Sequence, residues 1–131
     1  MNTESILKDW QLNPGVSEVV LEHVVSALGF SLPPDYVEFL RQANGGEGFI
    51  DDNYLILWKA DELKIFNEEY EVETYAPGLF LFGSDGGGEG YGFDKRDGSM
   101  CVIRVPFIGM DVRYAEVVAS SFTNFLQELA S

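Results

Sequence analysis

The sequence predicts an α+β fold, an antiparallel sheet flanked by helices from the N- and C-terminal parts. Three observations predict it. Apolar residues recur at helical spacing near both ends of the chain, at Val16 to Leu28 and at Phe122 to Leu129. Between them lie short apolar runs joined by hairpin signals rather than helical crossovers. Hydrophobic residues make up 46% of the chain, with ten Phe, six Tyr and two Trp, which is the composition of a packed core and not of disorder.

The first helix is expected over 16–28, with Val16, Val19, Val20, Val24, Ala27 and Leu28 inward, Glu18 and Glu22 opposite, and Gly29 as its terminator. The β-branched pairs Val19-Val20 and Val24-Val25 weaken helix propensity, so a strand is the alternative. A second helix follows Leu32. Pro33 and Pro34 preset its first turn, Asp35 and Glu38 sit at the positive end of its dipole and Arg41 at the negative end. Tyr36, Val37, Phe39, Leu40 and Ala43 mark its buried side, and Asn44-Gly45-Gly46 is expected to stop it.

Gly48-Phe49-Ile50 and Tyr54 to Trp58 read as strands around an Asp51-Asp52-Asn53 turn. Asp61 to about Tyr70 reads as an acidic helix. Leu79 to Gly83 and Gly90 to Asp94 pair across a glycine-rich loop, and Asp97-Gly98 leads into a strand from Met100 to Pro106. Phe122, Phe125, Leu126 and Leu129 form the stripe of a closing helix, with Ser120 and Ser121 as candidate caps.

The order of these motifs resembles the SUKH superfamily, in its Smi/Knr-like branch. Leu32-Pro33-Pro34-Asp35-Tyr36-Val37-Glu38-Phe39-Leu40 followed by Asn44-Gly45-Gly46 is similar to that branch's Leu-Pro-x-x-Tyr/Phe-x-x-Phe/Leu-Leu helix closing in Asn-Gly-Gly. Phe82-Gly83-Ser84-Asp85-Gly86 is similar to its later Phe-Gly-x-x-Gly segment. The resemblance spans roughly residues 18 to 126 and implies the same α+β fold. It also implies a non-catalytic role. Members with assigned roles are mostly bacterial immunity proteins that neutralise a cognate toxin domain, often a nuclease, while fungal members regulate cell-wall assembly through protein contacts.

A chain of 131 residues fits one domain, 1–131, able to bury about two-thirds of the surface its unfolded form exposes. One cysteine, Cys101, fits a reducing, cytoplasmic setting. Met1 to Leu12, with Glu4 and Asp9 beside Lys8, lacks the basic and apolar stretches of a signal peptide. No apolar run approaches the ~20 residues that span a bilayer. The net charge of −14 disfavours nucleic acid, whose affinity comes from Lys and Arg.

Eight acids fall between Asp51 and Tyr75 against Lys59 and Lys64, so a negative patch is expected there. Such a patch either steers a basic partner or serves as a solvated face. The candidate partner-binding residues are Asp51, Asp52, Glu68, Glu69, Glu71, Glu73, Asp85, Glu89 and Tyr91, chosen from charge clustering and from aromatics among acids. Tyr70, Tyr75 and Trp58 are further aromatic candidates, and Asn44 or Glu47 could line a contact surface.

No cofactor, metal or catalytic residue is assigned. Gly83 to Gly92 lacks the Gly-Lys-Ser/Thr ending of a phosphate loop, and Asp85, Glu89 and Asp94 offer hard oxygen ligands for calcium but at a spacing that matches neither the EF-hand loop nor the RTX repeat. His23, the sole histidine, is expected partly buried beside the first helix's apolar stripe, and Cys101 inert in its strand. Paired carboxylates such as Asp51-Asp52 would suit a small hydrolase, but 22 acids make any such pair expected by chance. The expectation is a protein-binding domain, monomeric or weakly dimeric, whose partner is a basic toxin domain; an adaptor whose partner need not be basic is the alternative.

Overall fold

The computed structural model describes residues 6–8 and 10–130. The readings placed on Glu4 and Asp9 lie outside the described residues.

Seven strands form one antiparallel sheet in which each strand pairs with its neighbours in sequence: β1 (Gln11–Pro14), β2 (Ala43–Ile50), β3 (Asn53–Leu57), β4 (Leu79–Ser84), β5 (Glu89–Asp94), β6 (Val102–Pro106) and β7 (Glu116–Ala119). The helices are α1 (Glu18–Leu28), α2 (Pro34–Gln42), α3 (Leu63–Glu69), α4 (Val72–Tyr75) and α5 (Phe122–Leu129). The α+β prediction holds, with α3 and α4 also interposed between β3 and β4. Edge strands β1 and β7 and the short α4 were not legible: four residues carry too little pattern, and β1 ends in Pro14, a residue confined to edges or strand ends.

Gly29 and Ser121 bound their helices as expected, while the first helix begins at Glu18 rather than at Val16. Ser17 caps α1, accepting from the Val20 N–H at 3.4 Å, and Gly29 closes it in the left-handed region at φ 78°. The buried stripe of α1 differs from the prediction. It runs Leu21, Val24, Val25, Leu28, an i, i+3, i+4, i+7 series, with Val19 78% exposed. Val20, Ala27 and His23 are also exposed, so His23 is a surface residue rather than a partly buried one. Counting β-branched residues hid Leu21, the one fully buried position of the helix.

The second correction concerns Asn44-Gly45-Gly46. Helix α2 ends at Gln42 and the chain enters β2 directly, so the glycine pair lies inside a strand. A Cβ on Gly45 would stand 2.5 Å from the Leu57 carbonyl oxygen, and one on Gly46 would stand 2.6 Å from that of Gln11. The glycines therefore permit close approach of β3 and β1 on either side. Asn44 accepts from the Ala60 N–H through its side chain at 2.7 Å, and its carbonyl accepts from Asn13.

One face of the sheet carries an aromatic core. Phe82 of β4 and Phe93 of β5 meet Tyr36 of α2 and Phe122 of α5. Tyr36 is 1% exposed and its hydroxyl has no hydrogen-bond partner among the described residues. Burial pushes this phenol far above its usual range of ionisation. Tyr36→Phe removes an orphan polar group without changing ring packing, so it is expected to raise stability by about 1 kcal/mol. A urea midpoint that falls instead would assign the hydroxyl a hydrogen-bonding role.

Strands β3 and β4 pair only at Ile56–Ser84 and Leu57–Gly83, and the Trp58 N–H adds a bond to the Phe82 carbonyl at 3.0 Å. Beyond that point α3 takes the place of a strand. The Asn67 side chain accepts from the Leu81 N–H at 2.8 Å and donates to the Leu81 carbonyl at 2.9 Å, reproducing both bonds a neighbouring residue would make.

Candidate functional site

The β2–β3 hairpin turns on Asp51 and Asp52 between the paired residues Ile50 and Asn53, with Asp51 at φ 55°. Two-residue turns of this kind favour residues that tolerate positive φ, which Asp does. Asn53 donates from its amide to the Leu129 carbonyl at 3.0 Å, tying the turn to the end of α5.

Strand alternation then sorts the hairpin's side chains. Leu55 and Leu57 are buried. Tyr54 and Ile56 fall on the opposite face, beside their cross-strand partners Phe49 and Glu47. Phe49 is 63% exposed and its ring meets that of Tyr54 edge-on at 4.9 Å. The Tyr54 hydroxyl donates to the Glu47 carboxylate, and this bond raises the hydroxyl's ionisation above its usual range. A shallow hollow of about 530 Å³ is lined by Gln11, Glu47, Gly48, Phe49, Asp51 and Tyr54.

Past Ile56 the aromatic residues continue through Trp58, which is buried in the core at 7% exposure, like Tyr91. Trp58 stacks on Tyr70 at 6.0 Å and Tyr70 on Phe107 at 4.5 Å, with Phe66 edge-on to Trp58. A second hollow of about 290 Å³ shares Glu47 with the first and reaches Trp58 and Phe66. Tyr70 is 45% exposed. The result is an apolar strip with carboxylates along its rim, a pattern suited to holding a protein surface rather than to bond-making chemistry.

Of the residues singled out from charge, Asp51 and Asp52 are exposed at the hairpin tip. Asp85 lies in the β4–β5 loop next to the hairpin, where a Cβ on Gly86 would stand 3.3 Å from the Tyr54 ring. Its carboxylate accepts from the Gly87 and Glu89 N–H groups at 2.7 and 3.1 Å, so it shapes the loop. Glu89 is 3.7 Å from Arg104. Tyr91 is 7% exposed and packs on Phe125 at 4.7 Å, and burial raises its hydroxyl's ionisation. It belongs to the core.

Glu68, Glu69, Glu71 and Glu73 stand elsewhere. Glu73 is 3.9 Å from Lys95, just past the last residue of β5, whereas Glu89 is the first. Six residues of strand separate those ends, about 17 Å. The expected single acidic patch is thus two groups, one at the hairpin tip and one at the opposite end of the sheet. Charge counting missed Phe49 and Tyr54; the signal that could have found them is the alternation of Tyr54 and Ile56 against Leu55 and Leu57.

Asp94 ends β5. Its carboxylate accepts two side-chain bonds from Arg96, at 2.9 and 2.7 Å, and one from the Arg96 N–H. The side-chain bonds first, then the backbone bond and the guanidinium charge, hold its ionisation below the usual carboxylate range against the opposing effect of burial. A depressed carboxylate contributes stability above its unfolded value, near about 3.9, and loses it as pH falls through the folded value. The stability gap between the protein and Arg96→Gln is therefore expected to be full at neutral pH and to close below about pH 4, read by urea midpoints across that range.

Among the described residues no group of three or more His, Cys, Asp or Glu is placed to hold a metal ion, and no helix is long and apolar enough to cross a membrane. Cys101 is half-buried just before β6. In comparison with known proteins, the family model described as SMI1 / KNR4 family (SUKH-1) matches residues 15–128. No curated protein matches the chain.

Proposed function

This chain belongs to the SMI1 / KNR4 family (SUKH-1), and from that premise we propose that it is a non-catalytic, protein-binding domain over 1–131 that docks a basic partner protein in the cytoplasm. The partner is a nuclease-type toxin domain, and the chain acts as its immunity protein by occlusion. The observation that carries this reading is the open face of the β2–β3 hairpin: Phe49 exposed as an anchor on the half-buried Tyr54 ring, beside Glu47, Asp51 and Asp52. A basic site that normally holds phosphates accepts carboxylates, while aromatic rings supply the contact area. The net charge of −14 adds long-range attraction for such a partner.

The exposed Tyr70 and the half-buried Phe107, stacked over the buried Trp58, support a second reading, an adaptor contact of the cell-wall-regulator kind. The two readings separate by salt. A tagged chain is incubated with host lysate and washed at about 50 mM and then about 500 mM salt, around which screening of exposed charges becomes strong. A basic protein released by salt supports immunity; a neutral or acidic partner that persists supports the adaptor. With the partner in hand, Phe49→Ala is expected to weaken binding by about 2 kcal/mol, some thirtyfold, as interface anchors do. Asp51→Asn with Asp52→Asn should chiefly slow association. Unchanged binding in both variants sinks the hairpin as the docking face.

A further inference from the structure

A cleft of about 410 Å³ opens between the α1–α2 connection and the α3–α4 segment. Its wall is apolar, with Leu28, Phe30, Val72 and Phe80, and the rings of Phe30 and Phe80 meet edge-on at 4.9 Å. Glu68, Glu71, Glu73, Lys64 and Lys95 complete the lining. It lies across α3 from the aromatic strip. Lys64 and Glu68 are i and i+4 on α3, Phe66 stands about 200° around that helix from Lys64, and Glu71 follows in the turn before α4, in the left-handed region at φ 54°.

The cleft already holds one cation of its own. The Lys95 ammonium sits 4.6 Å from the centroid of Phe30 and 3.9 Å from the Glu73 carboxylate. An aromatic face and a carboxylate together are the chemistry that holds a desolvated cation on an apolar stem. Glu73 is thereby engaged, while Glu68 and Glu71 make no ion pair among the described residues. The volume leaves room for a further long side chain and its flanking backbone.

The geometry points to this cleft as an anchor pocket for one arginine side chain of a basic partner protein. Its stem lies over Leu28 and Phe30, the half-buried apolar residues of the lining, and its guanidinium bridges Glu68 and Glu71. Arginine fits better than lysine because its planar fork can engage two carboxylates at once. The inference rests on the protein-binding reading and adds to it a second contact, on another side of the molecule from Phe49.

The test is an NMR titration of the whole chain with the blocked peptide acetyl-Gly-Arg-Gly-amide, alongside its citrulline and lysine counterparts. Saturable shifts are expected at the amides of Phe30, Glu71, Val72 and Lys95. Citrulline, which keeps the shape and loses the charge, should bind at least about tenfold more weakly, the loss of one or more charge-assisted bonds. Lysine should fall between them. Glu68→Gln with Glu71→Gln should abolish the arginine response while the thermal midpoint stays put, since neither carboxylate supports the fold. Absent shifts, equal response to citrulline, or shifts centred on Phe49 and Tyr54 overturn the inference. So does a captured partner that tolerates both cleft substitutions yet is lost with Phe49→Ala, a result that leaves the protein-binding reading standing. Failure of that reading shows differently, as no partner retained by the unaltered chain.

Discussion

Phe82→Ala is expected to cost about 3–5 kcal/mol of unfolding free energy, the range for truncating a fully buried Phe. Phe82 has no exposed surface, and its ring stands 4.8 Å from Phe93, 5.4 Å from Phe122, 5.6 Å from Tyr36 and 5.7 Å from Phe125. Those four rings belong to β5, α2 and α5, so no single movement closes the space left behind. Each is held by its own element: Tyr36 by the first turn of α2, Phe122 and Phe125 by a helix capped at Ser121, and Phe93 by the middle of the sheet. Domains of this size hold about 5–15 kcal/mol in all, so the variant loses a large share of its stability. Urea denaturation should show a lower midpoint with an unchanged slope. A loss below about 1.5 kcal/mol would mean that the aromatic cluster repacks as a soft core does.

Asp35→Ala is expected to cost about 2–4 kcal/mol, from bonds to a charged acceptor that are lost together. One carboxylate oxygen accepts from the Tyr36 N–H at 2.9 Å at the start of α2. The other accepts from the Thr123 N–H at 2.9 Å and the Thr123 hydroxyl at 3.0 Å, in the first turn of α5. One side chain thus serves the starts of two helices 88 residues apart, where backbone N–H groups lack helical partners and favour negative charge. Asp35→Asn keeps an acceptor and should lose less. A double-mutant cycle with Thr123→Ala checks the assignment: coupling of about 0.5 kcal/mol or more is expected for residues in one network, and simple additivity would deny the clamp.

Both results bear on function because the clamp and the aromatic cluster hold the sheet under the β2–β3 hairpin. The hairpin is anchored by Ile50, Leu55 and Leu57 in the core, by the Trp10 indole N–H donating to the Phe49 carbonyl and by the Asn53–Leu129 bond, while Phe49's own ring stays outside. Destabilising the core should therefore lower the amount of folded protein without altering the affinity of what remains. Substitutions at Phe49, by contrast, should alter affinity and leave the urea midpoint nearly unchanged, since an exposed ring contributes little to folding. Measuring both quantities for each variant separates a stability effect from a docking effect.

The sequence by itself determined the features whose causes lie within a few residues. Gly29 ends α1, Pro33-Pro34 starts α2, Asp51-Asp52 turns the hairpin and Ser121 opens α5, because caps and tight turns are satisfied by adjacent backbone. The ordered Leu-Pro helix and Phe-Gly strand identified the family, which the match over residues 15–128 bears out. Only the tertiary structure decided how distant segments meet. It split the acids into two groups, since Glu68 to Glu73 and Asp51-Asp52 are near in sequence but stand at opposite ends of the sheet. It buried Tyr91 under Phe125, chose Leu21 over Val19 as the inward face of α1, set Asn67 where a strand would run and left Phe49 open. Each of these depends on which elements pack together, and burial and strand register are properties of that packing rather than of any local stretch of chain.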